Sequence, residues 1–440
     1  MIYAERIIGH VGLAKIDAKP KPACNIGNPL MTITATHVHA SVMPQHSEAP
    51  QHPTPVDLPR QLRSFALTVI PILAVLHAYI GWRLLPALPI GMPGTVVGGI
   101  MLGLSTLLIP LGMLAHFFVT RPALADRISW MGSVVMGLFS SVLVLTLLRD
   151  LLLLVAGTPS YASITATAVL LAAVLLTLIG FVNARRLARV VSIDVPLAGL
   201  PVPLTGFTIV QISDIHVGTT IKGDYVTAIV NRVNGLNADL IALTGDVVDG
   251  SVAQLSIHTA PLARLRARHG VFVVTGNHEY YSGAQDWMAE FQLLGLRGLM
   301  NEHVVIEHNG ASLVVAGVTD FSAGSFDPAQ RSDPLLALAG SPEGIPRILL
   351  AHQPRTAPAA ALAGFDLQLS GHTHGGQFWP WNLLVGLQQP FTAGLHRLGR
   401  LWVYTSRGTG YWGPPKRFGA PSEITLLRLV PDLANRGHQG

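Results

Sequence analysis

Five apolar runs in this chain each stop at a residue able to hold a metal ion. Residues 207–212 run into Asp214, 240–243 into Asp246, 271–274 into Asn277, 348–350 into His352 and 367–369 into His372. Short β-rich runs bounded by glycine and polar residues predict buried strands. In an open α/β sheet, ligands bind beyond the carboxyl ends of the strands. These five ends are therefore expected to converge on one place, where Asp214, His216, Asp246, Asn277, His352, His372 and His374 supply seven donors. Two divalent ions about 3.5–4 Å apart, sharing one carboxylate, match that supply. Imidazole and carboxylate without thiolate suit manganese, iron or zinc. His278, next to Asn277, is left over as a proton donor or oxyanion partner.

The five blocks read DIH, GDVVD, GNHE, the histidine of AHQP, and GHTH, in that order. At these residues the chain resembles the calcineurin-like metallophosphoesterases, whose pattern is D-x-H, G-D-x-x-[D/N], G-N-H-[D/E], a lone His and G-H-x-H. The resemblance covers residues 196–430. It implies that Asp214, His216, Asp246 and His374 hold one metal. Asp246, Asn277, His352 and His372 would hold the other, with His278 beside the scissile phosphoryl group. It also implies two mixed β-sheets packed face to face with helices outside. The wording VQISDIHVG, SGHTHGGQFWP and SRGTGYWGPP is most similar to a bacterial membrane-associated branch that includes phosphodiesterase-like proteins and a UDP-diacylglucosamine pyrophosphatase.

Half of the chain is hydrophobic (50%) and only 12% is charged, against about 25% charged in a soluble domain. That deficit points to membrane spans. Four apolar segments, 65–85, 96–119, 130–148 (running on to 155) and 164–182, have the length needed to cross a bilayer. Their prolines, Pro71 and Pro110, are tolerable in membrane helices. His77 and His116 within the spans read as packing residues, and the bundle as an anchor. The net charge of +5 comes without dense Lys/Arg interleaved with stacking aromatics, which argues against nucleic-acid binding. The single Cys24 excludes an intrachain disulfide.

With four spans, one side of the membrane carries Arg60, Arg63, Arg121, Arg127, Arg185, Arg186 and Arg189, and the other only Arg83 and Arg149. The positive-inside rule places the seven, and the domain after them, in the cytoplasm. The expected organisation is a disordered polar leader over 1–59, a four-helix transmembrane anchor over 60–188, and an α/β catalytic domain over 189–440. The leader's His37, His39, His46 and His52 match no defined site.

Asp249 is expected either to orient a ligand histidine or to start a helix. Glu279 and Asp320 read as capping or turn residues. Arg355, Arg407, Lys416 and Arg417 lie in loops after strand ends or near the closing strand, and of these four Arg407 and Arg417 are the chosen candidate contacts for phosphate oxygens. Trp379 and Trp381 belong to an apolar stretch, 378–385, which either holds an acyl chain at the membrane interface or packs on the domain. Together these features point to a multi-pass cell-membrane hydrolase with two divalent ions. Metal-bridged hydroxide would attack phosphorus in a lipid-linked substrate such as UDP-2,3-diacylglucosamine or another phospholipid. The rival reading is a non-catalytic membrane sensor or scaffold that uses the same fold for binding.

Overall fold

The computed structural model describes residues 58–156 and 159–432. The expected polar leader lies outside these residues, apart from its last two. The chain divides into two compact units, 1–75 and 76–440. The described part of the first unit is helical throughout and belongs to α1 (Leu58–Leu84).

Three more long helices follow: α2 (Gly91–Phe118), α3 (Pro122–Ala156) and α4 (Ala162–Arg185). All four are long and apolar enough to cross a membrane. The 35 residues of α3 start earlier than the expected segment and take in its run-on to 155, reaching about 52 Å at 1.5 Å per residue. Its C-terminal turns carry Arg149 and Asp150, which the span count assigned to a loop. The helix continues through them because both charges find partners. Asp150 accepts from Tyr79 Oη and Arg83 Nε, each at 2.6 Å, and Arg149 donates to Thr165 Oγ1 and the Ala162 carbonyl, each at 3.0 Å. His77 lies 2.8 Å from Ser105 Oγ and stacks on Phe139.

Where α2 and α3 cross, Gly112 faces Gly132, and a Cβ on either would come within 2.8 Å of the other's Cα. Ser129 Oγ donates to the Gly112 carbonyl at 2.8 Å across the same crossing. Small residues that let backbones approach are the usual means of packing helices in lipid, where burial between helices brings no hydrophobic gain.

Beyond α4 the chain alternates strands and helices. The strands are β1 (Arg189–Leu197), β2 (Thr208–Ile212), β3 (Leu240–Thr244), β4 (Val271–Val274), β5 (Arg297–Gly298), β6 (Glu302–His308), β7 (Ala311–Gly317), β8 (Arg347–Leu350), β9 (Leu367–Ser370), β10 (Gly394–Leu398), β11 (Leu401–Thr405) and β12 (Glu423–Pro431). The helices between them are α5 (Gly223–Asn234), α6 (Val252–Thr259), α7 (Asn277–Ser282), α8 (Ala284–Leu293), α9 (Pro334–Ala337), α10 (Ala357–Ala363) and α11 (Trp381–Leu384).

One sheet has the order β1-β12-β2-β3-β4-β5 and the other β10-β11-β9-β8-β7-β6. Both are mixed. In the first, β2 to β5 run parallel while β12 is antiparallel to β2; in the second, β7, β8, β9 and β11 run parallel, flanked by antiparallel β6 and β10.

Alternation along the strands sorts side chains into layers. Ile209, Leu240, Ala242 and Phe272 face Leu313, Val315, Ile348 and Leu367 in the core between the sheets. Val210, Ile212, Ile241 and Val273 turn outward onto Val226, Ile229, Val230 and Trp287 of α5 and α8. Val314, Leu349 and Val403 pack against Ala357 and Ala360 of α10. The result is two sheets face to face with helices on both outer surfaces, as expected.

Replacing Gly132 with Leu forces α2 and α3 apart, whereas Gly103, on α2 with open space around it, accepts Leu freely. Overpacking of this kind costs about 1–3 kcal/mol. The purified full-length Gly132→Leu protein in detergent should therefore melt several degrees lower than wild type, and Gly103→Leu should not. Equal melting of the two variants would show that the crossing is not a tight contact.

Candidate metal centre

The parallel strands β2, β3, β4, β8 and β9 end side by side, and the residues after each end turn sharply inward. Asp214, His216, Asp246, His372 and His374 all have positive φ, between 51° and 70°. That region is sparsely populated by residues other than glycine and costs about 1–3 kcal/mol each when imposed. Glycine precedes three of the five ligand blocks, at Gly245, Gly276 and Gly371, and answers a spatial need there. A Cβ on Gly276 would collide with Asp246 Oδ1, and one on Gly371 with Ser213 Oγ and Asp214 Oδ2.

Two trios of side chains result. Asp214, His216 and His374 form one, and Asp246, His352 and His372 the other, each with its donor atoms within 4.8 Å of one another. In the first, His374 Nε2 lies 3.3 Å from Asp214 Oδ1 and 3.0 Å from His216 Nε2. In the second, His352 Nε2 is 3.1 Å from Asp246 Oδ2. Asp246 Oδ2 also stands 3.8 Å from His216 Nε2, so this carboxylate lies between the trios. Asn277 Oδ1 reaches the second trio, 3.0 Å from His372 Nδ1.

The donor set fits divalent cations. His352 Nδ1 lies 2.7 Å from the Thr244 carbonyl, which fixes that nitrogen as the protonated one and turns the Nε2 lone pair inward. Nε2 is buried and makes no hydrogen bond, although a carboxylate oxygen lies beside it. Two lone pairs facing each other are stable only with a proton or a metal ion between them. Burial disfavours charge on His352, yet Asp246, Asp214 and Asp320 outweigh it and hold its pKa well above the ordinary value; a field that attracts a proton also attracts a metal ion. Burial and the neighbouring His352 push His372 down to about 3, and burial with Arg417 holds His374 far below its usual value, so both are neutral donors. Burial opposes ionisation of Asp246, but His352, His278 and His216 keep it charged.

His278 stands at the mouth, half-buried, with Nε2 3.9 Å from Asp246 Oδ2. Burial works against its charge, while Asp246 and Asp249 raise its pKa to about 9. The two carboxylates thus favour its imidazolium form. Asp249 does more than either sequence alternative allowed. Its Oδ1 takes His216 Nδ1 at 2.8 Å and His278 Nδ1 at 2.7 Å, turning both Nε2 atoms toward the centre. Glu279 is a buried tie. Its carboxylate accepts from the backbone N–H groups of Asp246, Val247, Val248 and Gly276, locking the second and third blocks together. The sequence signal for it was its place in GNHE. Asp320 is buried and held by Ser322 N and Gln353 Nε2.

The proposed substrate contacts divide. Arg407 is partly exposed, and its NH1 pairs with Glu423 Oε2 at 3.0 Å. Arg417 differs from expectation. It is buried, and its donors are spent on the carbonyls of His374, Arg407, Ala420 and Gly410, with NH2 3.0 Å from His374 Nδ1. It therefore supports His374 from behind and has no donor left for a substrate. Trp379 is half-buried. Trp381 is exposed over much of its ring, but its Nε1 donates to Ser140 Oγ of α3 at 2.9 Å.

Lys416, weighed from the sequence as one of four loop cations, turns away from the metal centre. Its stem fills the notch left by Gly180 on α4, and its Nζ donates to the Gly137 carbonyl, Ser141 Oγ and Thr177 Oγ1. Burial pushes its pKa down to about 8. Arg417 N donates to the Gly180 carbonyl at 2.9 Å.

Glu279→Gln keeps the shape of the tie but turns two amide hydrogens toward backbone donors. Leaving buried donors unmatched costs about 1–3 kcal/mol. Chemical denaturation should register that loss, and metal analysis should show lower occupancy in the same variant. Wild-type values for both would remove Glu279 from this role.

Comparison with known proteins follows the same division. Residues 207–376 match the family described as calcineurin-like phosphoesterase. A Bos taurus transmembrane protein with metallophosphoesterase domain is 39% identical over 265 residues, covering 58% of this chain and 60% of that protein. A Helicobacter pylori metallophosphoesterase is 41% identical over 228 residues, 51% of this chain and 60% of its own length. This chain thus spans about three fifths of the length of these relatives. An Aquifex aeolicus metallophosphoesterase is 32% identical over 227 residues, 51% of this chain but 85% of that protein. With a relative matched over most of its length and every ligand block in place, this chain belongs to the calcineurin-like metallophosphoesterase family.

Proposed function

We propose that this protein is a membrane-anchored, metal-dependent hydrolase of phosphoesters or phosphoanhydrides, acting on a lipid-linked substrate at the cytoplasmic face of a cell membrane. The observation that carries the hydrolase reading is the pair of trios with Asp246 between them and His278 beside them. Asp214, His216, His374 and Asp246 would hold one divalent ion, and Asp246 again, with Asn277, His352 and His372, the other. Such ions supply positive charge for phosphoryl oxygens and make a water molecule more acidic.

The chain's own residues do the rest. His278 offers the Nε2 proton to the oxygen that leaves phosphorus, while Asp249 holds Nδ1–H and so sets the ring's orientation. Water adds to phosphorus, the bond to the leaving oxygen breaks, and the proton lost by water restores His278. Nothing in this sequence or site favours the sensor reading, which would tolerate the loss of a ligand.

The lipid-linked substrate is supported by the surface beside His278. Tyr281 and Trp412 lie against its ring, with centroids at 5.3 and 5.7 Å, and Phe326 continues the aromatic wall past Tyr281. Trp412 is itself exposed, as are Trp381, Leu383, Leu384 and Leu387 of the segment that follows the GHTH block. This surface is anchored to α3 and α4 well inside their ends. Thr177, which receives Lys416, lies eight residues before Arg185, about 12 Å along the helix. Exposed leucines next to Trp381, whose Nε1 donates to Ser140 Oγ on α3, would be placed to meet acyl chains. The arginine asymmetry supports the cytoplasmic orientation.

Asp246→Asn should abolish turnover and lower metal content, because a neutral amide cannot serve two cations as a carboxylate does. His278→Ala should retain metal while kcat falls by roughly 10²–10⁴-fold. That loss should shrink for substrates with good leaving groups; an equal loss across leaving groups would count against proton donation. For the lipid reading, Leu383→Ser with Leu387→Ser should raise KM several-fold for a diacyl phosphodiester in vesicles. Hydrolysis of soluble bis(p-nitrophenyl) phosphate should be unaffected. An unchanged KM in vesicles would separate this surface from substrate binding while leaving the hydrolase assignment intact.

A further inference from the structure

A second cluster of metal-ligating side chains lies at the opposite end of the sheets. Phe207, Asp239 and His269 precede β2, β3 and β4, whose other ends lead to Asp214, Asp246 and Asn277. Asp239 and Asp246 bracket β3 and stand roughly 20 Å apart at 3.3 Å per residue. His308, the last residue of β6, comes from the other sheet. Donor atoms of Asp239, His269 and His308 all lie within 4.8 Å of one another.

We propose that Asp239, His269 and His308 form a third cation site, selective for a zinc-class ion, that clasps the two sheets together. His269 Nε2 stands 3.0 Å from His308 Nδ1, and His308 Nδ1 stands 3.9 Å from Asp239 Oδ1. Two imidazole nitrogens sharing one tetrahedral zinc, at about 2.0–2.1 Å each, lie about 3.3 Å apart, so small side-chain rotations bring all three donors to bonding distance. The carboxylate is already oriented. Asp239 Oδ2 accepts from Thr208 N at 2.9 Å and Thr208 Oγ1 at 2.8 Å, which leaves Oδ1 for the ion.

Phe207 stacks on His269 and meets His308 edge-on, holding both rings in place. The histidine backbone is fixed as well, since His269 N donates to the Asp239 carbonyl at 2.8 Å. His308 is buried while Asp239 and His269 are half-buried, so solvent can supply a fourth ligand. The nearby Arg268 donates to Asn309 Oδ1 at 3.2 Å. Two neutral imidazoles, one carboxylate and a water form a ligand set suited to zinc and unsuited to magnesium or calcium.

The test uses purified full-length protein in detergent, stripped with chelator and re-equilibrated with zinc. Wild type should hold one more zinc per chain than His308→Gln or His269→Gln. The difference between proteins is the quantity read, because the leader histidines and the catalytic trios are common to all. Cobalt in place of zinc should give a wild-type minus His308→Gln difference spectrum with the intense visible bands of a tetrahedral ion. Soluble phosphodiester hydrolysis, unchanged in each variant, controls for folding; if His308→Gln fails that control, His269→Gln at the half-buried turn decides. Equal zinc content in wild type and a folded variant would overturn the site and leave a histidine–histidine hydrogen bond in its place.

Discussion

Two carboxylates, Asp214 and Asp246, are fully buried within a few residues of two strand ends, and the domain is arranged around keeping them there. Buried charge of one sign is costly unless it is hydrogen-bonded and neutralised. Backbone N–H groups meet part of that demand. His372 N donates to Asp214 and His278 N to Asp246. Imidazoles from three further blocks meet more of it, and cations would meet the rest. Glu279 adds a third buried carboxylate with four backbone donors of its own. Its pKa, raised to about 7 by burial and by Asp246, shows how much negative charge is concentrated here. The positive φ values at five ligand positions serve the same demand, turning those side chains back along the sheet edge, while Asn277 and His352 reach the centre without them.

The site was legible in the sequence because each ligand sits immediately after a strand, where local pattern and three-dimensional position coincide. The strands of the sheet centres were legible for the same reason, whereas the two-sheet arrangement came from the family resemblance and not from local pattern. Partners distant in sequence were not. Strand β1 finds β12 across more than two hundred residues, a pairing no local period announces. Arg417 reads as a free cation in a loop, and its burial behind His374 depends on where four carbonyls happen to converge. Asp249 could be narrowed to two roles, but its double use by His216 and His278 required the geometry. The run-on of the third span to residue 155 was legible, but its start at Pro122 was not, and Arg149 was counted in a loop because its partners Thr165 and Ala162 are distant in sequence.

Small residues recur wherever two parts of this molecule must approach. Gly112 and Gly132 do so between helices, Gly276 and Gly371 beneath the carboxylates, and Gly137 and Gly180 under Pro414 and Lys416. In each case the missing side chain leaves room for a polar contact that would otherwise be out of reach. Composition alone shows only a glycine-rich chain, and the structure shows what the space is for.

Lys416 and Arg417 are neighbours in the chain but face opposite ways, one into the α3 and α4 helices and the other onto the backbone and ring of His374. A single peptide unit therefore separates the membrane helices from the metal centre. An enzyme joined to its anchor by a flexible linker can sample a range of heights above the bilayer. This one has no such slack: its reaction plane is set at one depth. If the substrate is lipid-linked, as proposed, such substrates would be sorted by how far their phosphorus lies from their acyl chains as well as by their chemistry. Any movement of α4 against α3 would be felt at His374 without passing through a linker.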